Sequence, residues 1–318
     1  MPAIIGLGLA LALTVTLAHA DWPTRPIRVI VPFPAGGGVD ANARLIAPLL
    51  SQALGQPVMM ENKPGAAGNL ALGYVADTPA DGYTLLWANV GVLTINPFLY
   101  PMKHDPRTAL APIGLVVKNP FVLWTSTTMP GEDWSAFVKA AKAQPGTYNF
   151  ASGGSGTSNH LCTELVKRAA GIEMPHIPYK GGAPAMVDLL AGRVHGYCDV
   201  YSVGAPYLAD GRLKALAVTS AQRLAVLPGV PTLIELGMKD IEITGWQGVL
   251  APAGTPRTVI EKLAAALQRI VESEAIRNDF ARQGVIAAAS TPAEFGALIA
   301  SETLRWGKLV KETGARAE

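Results

Sequence analysis

The sequence predicts an α/β protein of two lobes with a cleft between them. Three observations carry that reading. Short β-branched strands alternate with helical stretches of about 10–15 residues, the pattern of parallel α/β sheets. Small-residue turns of Gly, Pro, Asn and Ser stand where strands hand over to helices. Two extended runs, at about 119–125 and 243–249, make the stretch between them an inserted domain and leave the first and last segments to share the other. Folding a chain of this length hides roughly 75% of its unfolded surface, enough for one large or two medium cores.

Residues 1–20 contain no Asp, Glu, Lys or Arg and end in Ala18-His19-Ala20. Small residues at the third and first positions before Asp21 fit a signal-peptidase site. The apolar run is shorter than the ~20 residues of a membrane span. A signal peptide over 1–20, cleaved after Ala20, is therefore expected in preference to a retained anchor, and with it export from the cytosol.

The elements follow in order. Strands read at 27–33, 57–61, 83–89, 113–118 and 121–125, each β-branched and closed by a Gly, Pro or Asn turn. Further strands read at 147–151, 176–178, 194–200, 213–219 and 243–250. Helices read at 39–53, 69–77, 134–143, 158–169, 184–191, 258–274 and 293–311. The crossings place 21–120 and 247–318 in one lobe and 121–246 in the other. Charge is nearly balanced, 26 basic against 24 acidic residues, with no basic block, so nucleic acid is not an expected partner. Cys162 and Cys198 show no metal-ligand spacing; outside the cytosol they form one disulfide or remain two buried thiols.

The loop Phe33-Pro34-Ala35-Gly36-Gly37-Gly38 runs from the first strand straight into a helix. Its unpaired N–H groups lie at the positive end of that helix, a nest for a phosphate or carboxylate. Gly36-x-Gly38-x-x-Ala41 also fits the relaxed dinucleotide fingerprint, but Pro32 and Pro34 bracket the turn and an exported protein meets little nicotinamide cofactor. No cofactor is expected. A second such loop is Ser152-Gly153-Gly154-Ser155-Gly156-Thr157, followed by His160. It is not a G-x-S-x-G nucleophile elbow, because Thr157 stands two residues beyond Ser155.

Two further turns, Ala66-Ala67-Gly68 and Tyr179-Lys180-Gly181-Gly182-Ala183, and the strand end at Asp199 and Tyr201 complete the candidate set. Neutral amide and hydroxyl donors suit reversible capture of a carboxylate. Phe33, Tyr179, Tyr201 and Trp246 offer apolar walls. No metal cluster or poised acid/base pair is visible. The enzymatic alternative is a secreted serine hydrolase using Ser155 or Ser152 with His160 and Asp199.

The segments WPTRPIRVIVPFPAGGGVDANAR, ENKPGAAGNLA, DGYTLLWAN, GSGTSNHL, PYKGGAPAMVDLLAGRV, LPGVPTLIELG and WQGVLAPAGTP occur in this order along the chain. Over essentially its whole mature region the chain resembles the tripartite tricarboxylate transporter substrate-binding proteins, the Bug or TctC family. The resemblance implies a two-lobed periplasmic binding protein fold of the type II arrangement. It also implies a monomer that is not an enzyme and that hands a small organic mono- or dicarboxylate to one large and one small integral membrane subunit. It places carboxylate-binding loops on 33–38, with Asp40 opening the helix, and on 152–157 with His160. It adds the turns at 66–68 and 179–183, and the acid at Asp199. The chain departs from the family pattern at His195-Gly196, at Cys198, and in the segment KHDPRTALAPI.

Overall fold

The computed structural model describes residues 22–238 and 241–316; the expected signal peptide lies outside them. The chain opens with β1 (Ile27–Val31), α1 (Gly38–Leu54) and β2 (Val58–Asn62). A single 3₁₀ turn at Ala66–Gly68, α2 (Asn69–Ala76) and β3 (Thr84–Asn89) follow. β1 lies between β2 and β3 with parallel pairing, Val29 opposite Met60 on one side and Leu85 on the other. A π-helical turn at Gly91–Ile95, α3 (Asn96–Leu99) and α4 (Pro106–Ala109) lead into β4 (Leu110–Ser126).

The second sheet uses α5 (Trp134–Ala143), β5 (Phe150–Ser152), α6 (Ser158–Ala170), β6 (His176–Pro178), α7 (Gly182–Leu190), β7 (Gly196–Val200), α8 (Tyr201–Ala209) and β8 (Leu213–Val218). The chain returns through β9 (Thr244–Pro252), α9 (Arg257–Glu272), α10 (Glu274–Arg282), β10 (Ile286–Ala287) and α11 (Pro292–Thr313).

The expected strands at 113–118 and 121–125 are one strand of 17 residues, β4. Its first part, to Pro120, pairs with β9; from Phe121 onward it pairs with β7 and β8. Pro120 interrupts nothing, because the N–H it lacks falls where the strand changes partners. The strand order β2-β1-β3-β9-β4-β7-β5-β6 thus runs unbroken through both halves.

The sheets are mixed, where parallel ones were expected. β1–β2, β1–β3, β5–β6 and β5–β7 are parallel, whereas β3–β9, β4–β9, β4–β7 and β4–β8 are antiparallel. The physical reason is the double crossing: β4 carries the chain out and β9 brings it back with opposite direction. Besides the short helical turns between Gly91 and Ala109, α8 and the break between α9 and α10 escaped the sequence pattern. α8 holds Pro206 within it and Gly204 against the Trp124 indole, both poor helix signals. Ser273 separates α9 from α10 by capping the Ile276 N–H.

Three apolar clusters hold these layers. Ile27, Val29, Ile46, Leu85, Trp87, Leu263 and Phe280 fill one face of the first sheet. Val122, Trp124, Leu189, Tyr197 and Val218 fill one face of the second. A third cluster runs across both, from Leu72, Leu86, Phe295 and Trp306 to Leu123, Phe137, Phe150 and Leu161. The period-2 alternation of β4 sends Leu123 into the shared core and Val122 and Trp124 to the opposite face. Cys162 and Cys198 are joined as a disulfide, with Cα atoms 6.5 Å apart, tying α6 to β7.

Candidate functional site

The first loop leaves β1 through Pro32, and Gly36 takes a left-handed φ of +84° that a side chain would strain. Gly37 then caps α1 with no side-chain bond, so the first N–H groups of that helix stay open. Asp40 braces the loop from inside. Its carboxylate accepts from Gly36 N at 2.9 Å, Arg44 Nε at 2.8 Å and Asn62 Nδ2 at 2.8 Å, and the residue is 2% exposed. Arg44, with the Gly36 amide and Asn62, holds its pKa down at about 2. Asn62 Nδ2 also reaches the Phe33 carbonyl at 2.9 Å.

Behind this loop Ala66 and Ala67 both take positive φ, sparsely populated for alanine, and the Ala67 carbonyl accepts from Asn96 Nδ2 at 3.0 Å. A Cβ on Gly68 would lie 2.6 Å from Val92 Cγ2 and 3.1 Å from Pro32 Cβ, so the turn packs directly against the first loop.

The second loop leaves β5 at the buried Ser152. Gly154 and Gly156 take φ of +131° and +77°. Thr157 caps α6 through its hydroxyl. His160 is buried; its Nδ1 accepts from Gly156 N at 3.0 Å and its ring stacks on His176 at 3.9 Å. Burial pushes its pKa down. The turn before α7 is stitched to the same loop, Tyr179 N to Ser152 O at 3.0 Å and Gly181 N to Gly153 O at 3.1 Å. Tyr179 directs its hydroxyl to Asp188 at 2.6 Å, with its pKa pushed up to about 12 by burial and that carboxylate. Lys180 is exposed, Ala183 lies in the first turn of α7, and Gly182 packs close to the Tyr197 hydroxyl.

At the end of β7, Asp199 accepts from Val200 N at 2.8 Å and from the Tyr197 hydroxyl, which itself accepts from Asn159 Nδ2 at 3.1 Å. Removal from water pushes the Asp199 carboxyl up. Tyr201 opens α8 and packs against Gly284.

A cavity of about 240 Å³ lies where the two sheets meet. Gly38, Val39 and Asn42 of α1 line one wall, with Asn89 and Val90 at the end of β3. Ser158 of α6, Asp199, Val200 and Ser202 of α8 line the opposite wall. The crossings supply Asn119, Phe121 and Gly245–Gln247, and Gln283–Val285 close one side. Three helices, α1, α6 and α8, turn their N-terminal ends to this space. Among the described residues no Lys, Arg or His lines it. Helix-end backbone dipoles and neutral donors face it, beside the carboxyl of Asp199.

Of the sequence-predicted residues, Gly38 and Asp199 line the cavity. Phe33, Pro34, Ala35, Gly36, Gly37 and Thr157 sit in the loops that lead to it; Trp246 also lines it. Ser155 and His160 line a different space beside Glu164 and Arg316, and Ala66 lines a third beside Leu70 and Tyr74. Sequence reasoning missed Asn42, Asn89, Asn119, Ser202 and Gln247. Asn89 was the most accessible of these, because it ends a strand at the edge where α/β sheets present ligand groups.

The residues of the hydrolase alternative are engaged separately. His160 Nδ1 receives the Gly156 amide, Asp199 receives Tyr197 and Val200, and the fully buried Ser152 hydroxyl lies 2.6 Å from His176 Nε2. Among the described residues no three His, Cys, Asp or Glu side chains are grouped to hold a metal ion, and no helix is long and apolar enough to cross a membrane.

Comparison with known proteins agrees with this architecture. The model of the tripartite tricarboxylate transporter family receptor matches residues 42–315. Protein BugT of Bordetella pertussis is 37% identical over 321 residues, covering 99% of this chain and 97% of BugT. The structure of Rpa4515 of R. palustris with adipate superposes with a TM-score of 0.82 at 34% identity, over 93% of this chain and 99% of that one. MatC of Rhodopseudomonas palustris with bound malate superposes with a TM-score of 0.75 at 31% identity, over 91% and 100%. This chain belongs to the family of tripartite tricarboxylate transporter receptors, periplasmic solute-binding proteins of two-lobed α/β fold.

Proposed function

We propose that the cleft captures a small organic mono- or dicarboxylate and that the closed receptor delivers it to the large and small integral subunits of a tripartite tricarboxylate-type transporter. One observation carries the reading: three helix N-termini converge on a cavity that no cationic side chain lines among the described residues. A carboxylate satisfies such open N–H groups, and each helix end contributes about 0.3–1 kcal/mol toward it. Rpa4515 and MatC, which hold adipate and malate, support the ligand class. The amides of Gly38–Val39 form one half of the grip and those around Ser158 and Tyr201–Ser202 the other, Val200 N being held by Asp199. Val39, Val90, Phe121 and Val285 give the acid an apolar surround.

The lobes follow the expected division, 21–120 with 247–318 against 121–246, with the return crossing adjusted. The change of partners of β4 at Pro120 supports the first boundary; pairing of Thr244–Trp246 with β4 moves the return crossing a few residues earlier. Binding at both walls favours the shut arrangement by differential affinity. The receptor acts in the periplasm as a monomer after removal of residues 1–20, without cofactor and without catalysis.

A highly charged acid such as citrate needs more positive compensation than this cavity supplies. Thermal-shift and calorimetric titration of the mature protein with adipate, malate, citrate, an aromatic acid and a sugar test the proposal. A response to adipate, malate or the aromatic acid is expected. Response to the sugar with none to any acid overturns it, and citrate binding tenfold tighter than adipate, ~1.4 kcal/mol, overturns the charge argument.

A further inference from the structure

The second loop is held from behind by two stacked imidazoles. His160 and His176 lie nearly parallel, 17° apart with centroids at 3.9 Å. His160 Nδ1 is 3.0 Å from Gly156 N, and Ser152 Oγ, beside His176 Nε2, accepts from Gly154 N at 3.1 Å. Gly156 is where this loop meets the first half of the molecule: a Cβ there would sit 2.5 Å from Leu99 Cδ1 on α3. The next residue, Thr157, caps α6, whose Ser158 lines the cleft.

A ring nitrogen can accept an amide proton only while it is unprotonated. Protonating Nδ1 turns the Gly156 contact into two donors facing each other, inside a stack where a second charged ring is repelled. We propose that His160 is a positioning residue for the cleft: its unprotonated Nδ1 holds the Gly156 amide, and acidification releases this loop and weakens ligand capture. The binding consequence rests on the carboxylate reading above; the response of the loop does not.

The charged and titratable groups around the pair are Glu164 and Lys167 on α6, His176 on β6, and Arg316 after α11. Glu164 favours the imidazolium and Lys167 opposes it, and these two form an ion pair at 2.8 Å. Burial is the largest influence and favours the neutral ring. Because the folded value is lowered, the loop is intact at neutral pH. Stability is lost as pH falls below the ordinary histidine value of about 6.5 and continues to fall until the ring itself takes the proton.

The test uses ¹⁵N NMR and adipate calorimetry on the mature chain between pH 7.5 and 5. An acceptor Nδ1 at neutral pH, a His160 midpoint below about 6.5, and loss of Gly156 amide protection at that midpoint are expected. Adipate affinity falls roughly three- to tenfold beyond the part due to protonation of the acid, the range of one hydrogen bond. His160→Asn puts a non-titrating oxygen where Nδ1 stood, so its affinity follows protonation of the acid alone. His160→Phe keeps the ring but not the acceptor and binds weakly at every pH. Identical pH dependence in wild type and His160→Asn, or a Gly156 amide that ignores the titration, overturns the proposal. If adipate binds at no pH while the Gly156 amide still follows His160, the positioning role stands and the carboxylate reading falls.

Discussion

Replacing Thr219 by valine probes how the two crossings are tied together. Thr219 is fully buried just after β8, between Phe121 on β4 and Ile243 just before β9. Its hydroxyl accepts from Phe121 N at 2.9 Å and donates its one proton to the Ile243 carbonyl at 2.5 Å, the nearer of two carbonyls in reach, Phe121 O lying at 3.2 Å. Valine has nearly the same shape, so no cavity opens and the loss is confined to those two bonds. Each buried group left unpaired costs about 1–3 kcal/mol, more for the N–H than for a carbonyl. The backbone bonds from Thr219 N to Phe121 O and from Ile243 N to Thr219 O, both 3.0 Å, survive and keep the strands together. The expected destabilisation is therefore about 2–4 kcal/mol. For a chain of this size that lowers Tm by roughly 5–10 °C. Differential scanning calorimetry of Thr219→Val beside Thr219→Ser decides the matter, because serine keeps both bonds and loses only a methyl, about 1 kcal/mol. Valine and serine variants melting together would show that the hydroxyl is not the tie.

Three other outcomes follow from the same geometry. Asp40→Asn is expected to cost about 1 kcal/mol, because the Arg44 partner that chiefly holds the carboxyl down at about 2 is half exposed and solvent screens the pair. That stability is present above the ordinary carboxylate range and is lost as pH falls through about 2, so acid melts of wild type and variant should converge there. Cys162→Ser with Cys198→Ser removes a link between residues 36 apart and should lower stability by about 3–4 kcal/mol in denaturant titration; an unchanged midpoint contradicts this. Gly38→Val places its Cβ in open space, with nothing within 4 Å, so folding should change by less than about 1 kcal/mol. Carboxylate affinity should fall at least tenfold, measured calorimetrically, and retained affinity would place the acid elsewhere.

The alternation of strands and helices was legible because periodicity and turn chemistry are local. So were the loops at 33–38 and 152–157, since glycine at strong turn positions marks itself. What escaped was set at a distance. Whether Pro120 ends a strand depends on the partner its missing N–H would have needed, supplied by residues more than a hundred positions later. The cleft draws Asn89, Ser202 and Gln247 from three separate elements, and nothing in their neighbours announces that they converge. Asp40 shows the reverse. Its spacing to Arg44 is that of a helical ion pair, a bracing role readable in the sequence, yet its place beside the loop suggested a ligand contact.

The absence of cationic side chains from the cleft walls has a consequence for the conditions under which such a receptor works. Arginine- or lysine-built anion sites lose much of their attraction as ionic strength rises, because mobile counterions screen exposed charges within about 10 Å at 0.1 M salt. Helix-end amides act on a bound carboxylate at hydrogen-bond distance, and their partial charges fade within the first turn, so less of the attraction is the long-range part that salt screens. Capture should then depend less steeply on salt than at a site built from arginine or lysine. Outside the cytosol, where the medium sets the salt, that weaker dependence keeps affinity steadier for a cell whose environment changes.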